Sequence, residues 1–553
     1  MKRTSIAISA AALVLTACGG SDPTSGVDSL AAQVVNGTAA TGAPMPSATI
    51  NATCGSASGT ATTASDGTYS VKVTGGSLPC VLTATSSDGA TVLHSLVAGT
   101  GTSSSAAVAQ ITPLTELLVA QLAAGDPAKF VSSFSSNTTI SVDAVAAANT
   151  TVLAALKAAG LDVSAITNVA TGTISVGSGG NSYDGVLDTL QKAITGANTT
   201  LAELVTAIST TASSGTAQGA VMGTVLAPVA TSSCPSLKGG THRVIDFTDS
   251  TTYTATVDVT HLTVSANGNN YTLTKNATCD YTLNDTSHTR VLVAKSGMAV
   301  WMNGGGTAPS PAAAGTVGVS FPAQTLDTTA LGGVYDRVTY GAASATPFGA
   351  FGTATFDGAG VNTTSINCTN GVGSCAPDPS PSPLGHVVST SDGGVDYLNA
   401  DGSLGAHAFG FRNAQGQTVL IAYESSGSVS VLSKQSTLSL PTVGATTSFW
   451  QSKLTPTATP LLVMADDSNT VTAVDSATSL VTRKFQDNHT DQLTFNSPFA
   501  GARYRALNAC TTTAGTAGTC APVVQLPLQG EGINLAISAN PSNPFLTVSI
   551  SKP

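Results

Sequence analysis

Hydrophobic and polar positions alternate in short runs over residues 31–110. Tyr69, Val71 and Val73 occupy every second position of one run, so they share one face of a predicted strand. Gly, Pro and Asp-Gly pairs, such as Asp66-Gly67, separate the runs and favour turns. This pattern predicts a small β-sandwich over residues 31–110.

The order of these runs resembles a known module. A Gly59-Thr60 strand is followed by Asp66-Gly67-Thr68-Tyr69, which resembles the carboxypeptidase-regulatory-like, transthyretin-like module of secreted bacterial proteins. The resemblance implies a non-catalytic sandwich that spaces, displays or binds, and it does not imply peptidase activity.

The periodicity changes to 3.6 residues over 111–230. Thr112-Pro113 forms a predicted N-cap and first helical position. A second helix is predicted over 143–159 and a third over 183–194, and Thr200 to Glu203 forms a capping box for a fourth. We therefore expect a small α-helical region whose apolar stripes form a core.

Residues 231–553 return to alternating runs separated by Asp-Gly, Asn-Gly and Pro-rich turns. This spacing is typical of an antiparallel sandwich or barrel. Similar segments begin at Gly240, Gly333 and, more weakly, Thr447, and each opens a β-rich stretch of about one hundred residues. A Gly-x-aromatic start of this kind resembles calycin-type up-and-down barrels. The predicted fold class is therefore mainly β: a small N-terminal β-sandwich, a short α-helical segment, then a large antiparallel β region of two or three barrel-like or sandwich modules.

The amino terminus has the layout of a secretory signal. Lys2 and Arg3 precede an apolar run that is too short to span a bilayer. The run ends in Leu15-Thr16-Ala17-Cys18-Gly19, which resembles the lipobox of bacterial lipoproteins. The resemblance implies cleavage after residue 17 and acylation of Cys18, with diacylglycerol on sulfur and a fatty acid such as palmitate on nitrogen; two or more chains anchor a protein stably. Residues 1–17 are then the signal peptide and 18–30 a flexible tether.

The residue after Cys18 bears on the expected location. An Asp directly after the lipidated Cys would resemble an inner-membrane retention signal, and this chain has Gly19 there. We therefore expect an outer-membrane lipoprotein of the cell envelope. Whether it faces the periplasm or the cell exterior stays open. A plain secreted protein is the alternative.

Composition narrows the classes of partner. The chain has 553 residues, of which only 9% are charged, and its net charge is −10. It has no basic cluster of the kind that neutralises phosphates, so we expect no nucleic-acid partner. The expected partner is the membrane, through the lipid anchor, and the ligand stays unidentified.

The cysteine count fits an oxidising compartment. Nine Cys minus Cys18 leave eight, an even number. Sequence proximity favours four local disulfides, although eight Cys allow 105 connectivities. No pair has C-x2-C spacing or a nearby His, so metal binding is the less favoured alternative. The predicted pairs are Cys54 with Cys80, Cys234 with Cys279, Cys368 with Cys375, and Cys510 with Cys520.

No catalytic motif stands out. The chain contains no G-x-S-x-G, S-x-x-K, H-E-x-x-H or P-loop, and its seven His are dispersed. Trp301 and Trp450 are candidates for stacking on sugars, although core packing is the simpler interpretation. We predict no catalytic residues, no metal and no cofactor. The favoured function is non-catalytic binding or structural display at the membrane. The alternatives are a lipocalin-like carrier of a small apolar ligand, which an apolar internal cavity would favour, and a secreted β-fold hydrolase, which buried carboxylates would favour.

Overall fold

A computed structural model describes residues 31–552, apart from 103–104, 178–179, 215–217, 231–232, 248–250, 304–314, 327, 342–346, 369–370, 414–415, 456–461 and 541. The predicted signal peptide and the predicted lipidation site, Cys18, lie outside the described residues. The fold is mainly β with a short helical segment, which confirms the predicted fold class.

Two sheets form the first module. Their strands are β1 Ala32–Thr38, β2 Thr49–Cys54, β3 Ala57–Thr62, β4 Thr68–Thr74, β5 Leu78–Thr85, β6 Val92–Gly101 and β7 Ala107–Val108. One sheet has the order β4-β1-β7 and the other β3-β2-β5-β6.

Alternation along β4 explains how the two sheets pack. Tyr69, Val71 and Val73 are buried while the residues between them are exposed, so this strand covers a shared core. The Tyr69 hydroxyl donates to the carbonyl of Ala109 at 2.6 Å, which satisfies its buried polar end.

Six helices follow. They are α1 Pro113–Ala123, α2 Pro127–Ser132, α3 Val142–Ala158, α4 Ser182–Gly196, α5 Leu201–Ser214 and α6 Gln218–Leu226. Thr112 caps α1, and the predicted capping box forms, because Thr200 N–H donates to Glu203 at 2.9 Å and Glu203 N–H donates to Thr200 Oγ1 at 3.2 Å. Helices α2 and α6 were not predicted; both are too short to show a clear 3.6-residue pattern.

Helix α1 joins the helical region to the sandwich. The buried Glu116 of α1 accepts hydrogen bonds from the backbone N–H of His94 at 2.6 Å and lies 3.0 Å from its ring Nδ1. Leu96 and Val81 of the sandwich also belong to the helical core. These two modules therefore share apolar packing.

The short pair β8 Val229–Ala230 and β9 Cys234–Lys238 leads into a closed eight-stranded barrel, here called the first barrel. Its strands pair in chain order and β10 also pairs with β17. They are β10 Gly240–Asp246, β11 Thr252–Asp258, β12 Thr263–Ala266, β13 Asn269–Ala277, β14 Asp280–Leu283, β15 Arg290–Val293, β16 Ala299–Asn303 and β17 Thr316–Pro322.

The middle barrel follows. Its strands are β18 Gly333–Gly341, β19 Phe348–Phe356, β20 Val361–Cys368, β22 Gly385–Ser389, β23 Val395–Asn399, β24 Leu404–Arg412, β25 Thr418–Glu424 and β26 Val429–Lys434, with β21 Cys375–Pro377 as an extra strand on β20. Strand β20 pairs with β19 along its length and with β22 at Val361 and Asn362. Because β26 also pairs with β18, these eight strands form a closed ring.

The third barrel is also closed and eight-stranded. It contains β27 Thr446–Leu454, β28 Leu462–Asp475, β29 Leu480–Phe485, β30 Thr490–Phe495, β31 Arg503–Arg505, β32 Val523–Leu528, β33 Ile533–Ser538 and β34 Leu546–Ser551. The three similar sequence segments at Gly240, Gly333 and Thr447 thus lie in the first strands of the three barrels.

Apolar residues on the outer faces of the barrels pack together. Val338 and Tyr340 of the middle barrel, Ile537 of the third and Val300 of the first belong to one buried cluster. Gly349 allows close approach here, because a Cβ at this position would lie 2.8 Å from Ile537. Among the described residues, no helix has the length and apolar character needed to cross a bilayer.

Candidate ligand-binding site

The interior of the middle barrel contains a cavity of about 580 Å³. An eight-stranded barrel is just wide enough to be filled by its own side chains or to hold one small ligand. In this barrel several inward positions on neighbouring strands carry small residues, so the interior is not filled. These residues are Ala354, Gly405, Ala406, Ala408 and Ala422.

Apolar side chains line part of the cavity. Phe356, Leu420 and Leu432 are buried there with Val387 and Val395.

Aromatic rings continue the same wall. The Phe356 ring lies edge-to-face between Tyr335, at a centroid distance of 5.9 Å, and Tyr397, at 6.5 Å. Edge-to-face contacts stabilise a pair of aromatic rings beyond the contribution of the apolar area that they bury. These rings extend the apolar surface of the cavity.

Polar side chains lie beside these apolar ones, because Arg337 is the cross-strand partner of Leu432 and Asn362 is that of Phe356. Arg337 donates to the side-chain carbonyl of Asn367. Asn362 donates through Nδ2 to Tyr397 Oη at 3.1 Å and to Ser365 Oγ at 3.2 Å. The polar residues come from strands β18, β20 and β23, which the ring closure brings around one space.

Two buried polar atoms on this wall have no hydrogen-bond partner among the described residues. They are Nε of Arg337, a donor, and Oδ1 of Asn362, an acceptor. Buried polar groups are normally paired, with water or a ligand where protein does not reach them. The cavity wall therefore offers one donor and one acceptor to a molecule inside it.

The acidic groups of the lining are held by the protein itself. Glu424 accepts hydrogen bonds from Ser428 at 2.8 Å and Ser430 at 2.5 Å. Hydrogen bonds from the backbone and side chain of Ser380, with the charge of Arg337, lower the pKa of Asp378. Burial raises the pKa of Tyr397, so this phenol stays protonated at neutral pH.

The eight remaining cysteines form the four predicted local pairs. The Cα–Cα distances are 4.1 Å for Cys54–Cys80, 4.6 Å for Cys234–Cys279, 4.0 Å for Cys368–Cys375 and 6.4 Å for Cys510–Cys520. None of these cysteines lines the cavity; Cys368–Cys375 joins β20 to β21 beside it.

Five of the described histidines pair with a carboxylate or a backbone carbonyl: His94, His242, His261, His407 and His489. His407 lies 2.6 Å from Asp396 and 3.2 Å from Asp392, on the outside of the middle barrel, and its ring packs against Phe409. Among the described residues, no group of three or more His, Cys, Asp or Glu could hold a metal ion. The predictions of no catalytic residue and no cofactor stay predictions.

The two tryptophans occupy different barrels. Trp450 is buried in the cluster between the barrels. Trp301 points into the first barrel, where its indole N–H donates to the carbonyl of Val319 at 3.3 Å. Neither lies on an exposed groove.

Sequence reasoning missed the cavity residues. Arg337, Asn362 and Tyr397 carry no motif, and they converge only through the closure of the ring. The one available signal was the recurrence of Ala at alternate positions, as in Ala406 and Ala408, where a filled core would have larger side chains.

Comparisons with known proteins give little more. No protein-family model matches the chain, and no curated protein matches it. One similar solved structure is the crystal structure of a protein of unknown function from the DUF3598 family of Nostoc punctiforme. It is 9% identical, the match covers 40% of this chain and 95% of that chain, and the TM-score is 0.16.

Proposed function

We propose that this protein is a non-catalytic binding protein of the bacterial envelope, and that its middle barrel carries a small, mainly apolar ligand. The observation that carries the proposal is the cavity of about 580 Å³ inside that barrel. Its volume falls in the range of about 300–1,000 Å³ typical of small-molecule sites.

The lining supports a ligand that is mainly apolar and carries one polar group. Its apolar part would lie against Phe356, Leu420 and Leu432. Its polar group would lie beside Arg337 and Asn362, where it would accept from Nε of the arginine and donate to Oδ1 of the amide. A hydroxyl or a primary amide has both capacities.

Of the functions weighed from the sequence, the carrier gains most support. Structural display needs only outer surfaces, and it gives no reason for four inward alanines around an unfilled space. Attachment through an acylated Cys18 stays part of the proposal, because it would hold the binding barrel at the membrane.

A fluorescence titration tests the proposal. The probe is 1-anilinonaphthalene-8-sulfonate, whose rings are apolar, whose sulfonate accepts hydrogen bonds, and whose emission rises in apolar surroundings. We expect saturable binding of one probe per protein. Ala408→Phe, which places a ring inside the cavity, should weaken this binding at least about tenfold.

A matched variant controls for the added ring. Thr364 is exposed on β20 of the same barrel, so Thr364→Phe should bind the probe as the parent does. Circular dichroism would verify that both variants are folded. Equal binding by the parent and a folded Ala408→Phe variant would show that the probe does not use the cavity, and the proposal would then be wrong.

A further inference from the structure

A second, smaller cavity lies inside the first barrel. Its volume is about 200 Å³. Small residues on facing strands again create the space, because Ala255 and Ala299 occupy inward positions where most neighbours carry larger apolar side chains. Val244, Leu273 and the ring of Trp301 form the walls.

His242 is one of several polar residues that line this cavity, with Asp285, Thr289, Asn303 and Ser320 among the others. His242, on β10, is 2% exposed and lies opposite Ala255 across the β10–β11 pair. Its Nε2 lies 3.0 Å from the carbonyl oxygen of Lys238. A carbonyl can only accept, so Nε2 carries the proton and donates.

The second ring nitrogen of His242 is left without a partner. In the neutral ring, protonation of Nε2 makes Nδ1 an acceptor. Nδ1 is buried and has no hydrogen-bond partner among the described residues. Burial also lowers the pKa of His242 to about 4, so the ring is neutral at pH 7. The cavity therefore combines apolar walls with one unfilled acceptor.

We infer that the first barrel binds a second ligand, a compact apolar molecule with one hydroxyl or N–H group that donates to Nδ1 of His242. A buried acceptor left unpaired costs free energy, and a donor from the ligand would remove that cost. The inference does not depend on the middle barrel.

The volume of the cavity sets the size of the ligand. A dry cavity of about 150 Å³ in another protein binds benzene. A space of about 200 Å³ therefore has room for a benzene ring with one or two small substituents. Simple phenols fit this description, and so do aliphatic alcohols of similar bulk.

The test compares two probes of the same shape. p-Cresol carries a hydroxyl where p-xylene carries a methyl group, so the two differ only in the hydrogen-bond donor. Isothermal titration calorimetry with the full protein should give about tenfold tighter binding of p-cresol, the size expected for one buried hydrogen bond. In His242→Phe this preference should disappear, because the acceptor is gone while the ring is kept.

Two further variants locate the binding. Ala255→Phe fills the first barrel beside His242 and should abolish p-cresol binding, whereas Ala408→Phe fills only the middle barrel and should leave it unchanged. In a Trp450→Phe background, Trp301 is the remaining tryptophan, and p-cresol should change its emission excited at 295 nm.

The outcomes separate clearly. Equal affinity for the two probes, or no binding of either, overturns the inference. Binding that survives Ala255→Phe and is lost in Ala408→Phe would place p-cresol in the middle barrel, which also overturns it. The comparison of p-cresol with p-xylene needs no variant, so a misfolded substitution cannot hide the result.

Discussion

The side-chain amide of Asn413, in the middle barrel, donates a hydrogen bond of 2.7 Å to Oε1 of Glu531, in the β32–β33 hairpin of the third barrel. Ser296 of the first barrel donates to the backbone carbonyl of Glu531 at 3.2 Å. All three barrels therefore meet at one glutamate, which is 0% exposed. Burial raises the pKa of Glu531 to about 8, although hydrogen bonds partly oppose this shift.

This contact predicts how stability depends on pH. The folded pKa of Glu531 lies above its unfolded value, so the folded state holds the extra proton between about pH 4.5 and pH 8. The corresponding stability is present below this window and is lost as the pH rises through it, by roughly 5 kcal/mol. Glu531→Gln stays neutral and should remove this slope. Urea unfolding at several pH values measures the slope of the unfolding free energy against pH. Equal slopes for the parent and Glu531→Gln would contradict the prediction.

The interior of the third barrel predicts a large effect at Asp491. This residue is 1% exposed. It accepts two hydrogen bonds from Arg483, at 3.0 Å and 2.7 Å, and lies 3.5 Å from Arg505. Asp491→Asn leaves these cations buried without their counter-charge, which should cost about 3–5 kcal/mol of unfolding free energy.

The matched control for Asp491 is Asp487→Asn, in the turn before β30. Asp487 is exposed and pairs with His489 at the surface, so its replacement should leave the unfolding midpoint in urea unchanged. Similar midpoints for the two variants would refute the importance of burial at Asp491.

Close packing at Gly318 predicts a steric effect on Trp301. A Cβ at residue 318 would lie 2.1 Å from the carbonyl oxygen of Ile245 and 2.3 Å from the indole ring of Trp301. Gly318→Ala should therefore destabilise the first barrel by about 1–3 kcal/mol and shift tryptophan emission. Gly358→Ala is the control, because no atom lies within 4 Å of a Cβ built there. Thermal melting of both variants tests this: the melting temperature should fall for Gly318→Ala and stay at the parent's value for Gly358→Ala.

A disulfide that closes a longer loop should stabilise the protein more, because the entropy it removes from the unfolded chain grows with the logarithm of loop length. The separations are 26 residues for Cys54–Cys80 and 7 for Cys368–Cys375. In the loop-entropy model, replacing both cysteines by Ala costs about 3 kcal/mol for the first pair and about 2 kcal/mol for the second. Non-reducing peptide mapping of the parent should find these bridges, and free thiols or bridges between modules would disprove the pairing.

The proposed lipid anchor has a direct test. Cys18→Ser should move the protein from the membrane fraction to the soluble fraction of cells, because one residue would carry all the acyl chains. Metabolic labelling with palmitate should mark the parent alone. If the variant stays in the membrane fraction unlabelled, the apolar run before residue 18 is the better explanation for attachment.

The sequence predicted local features better than distant ones. Asp66-Gly67 and the alternation through Tyr69 predict a turn and a strand because both depend on neighbours in the chain. The capping box at Thr200 and Glu203 is equally local.

The cavity depends on contacts between distant residues. Arg337 and Tyr397 line the same space only because β20 pairs with both β19 and β22. Alternation shows that a strand has two faces, but it does not show which face lies inside a closed ring. An alanine such as Ala408 is equally compatible with either face, so the unfilled space could not be predicted.

Ring closure also bears on how this chain avoids association with itself. Open sheets expose unpaired backbone groups at their outer strands, and many proteins protect those strands with charged side chains. In the described parts of the three barrels, each strand of a ring has hydrogen-bonded neighbours on both sides. Although only 9% of the residues of the chain are charged, these barrels therefore offer few backbone groups for strand exchange between neighbouring molecules.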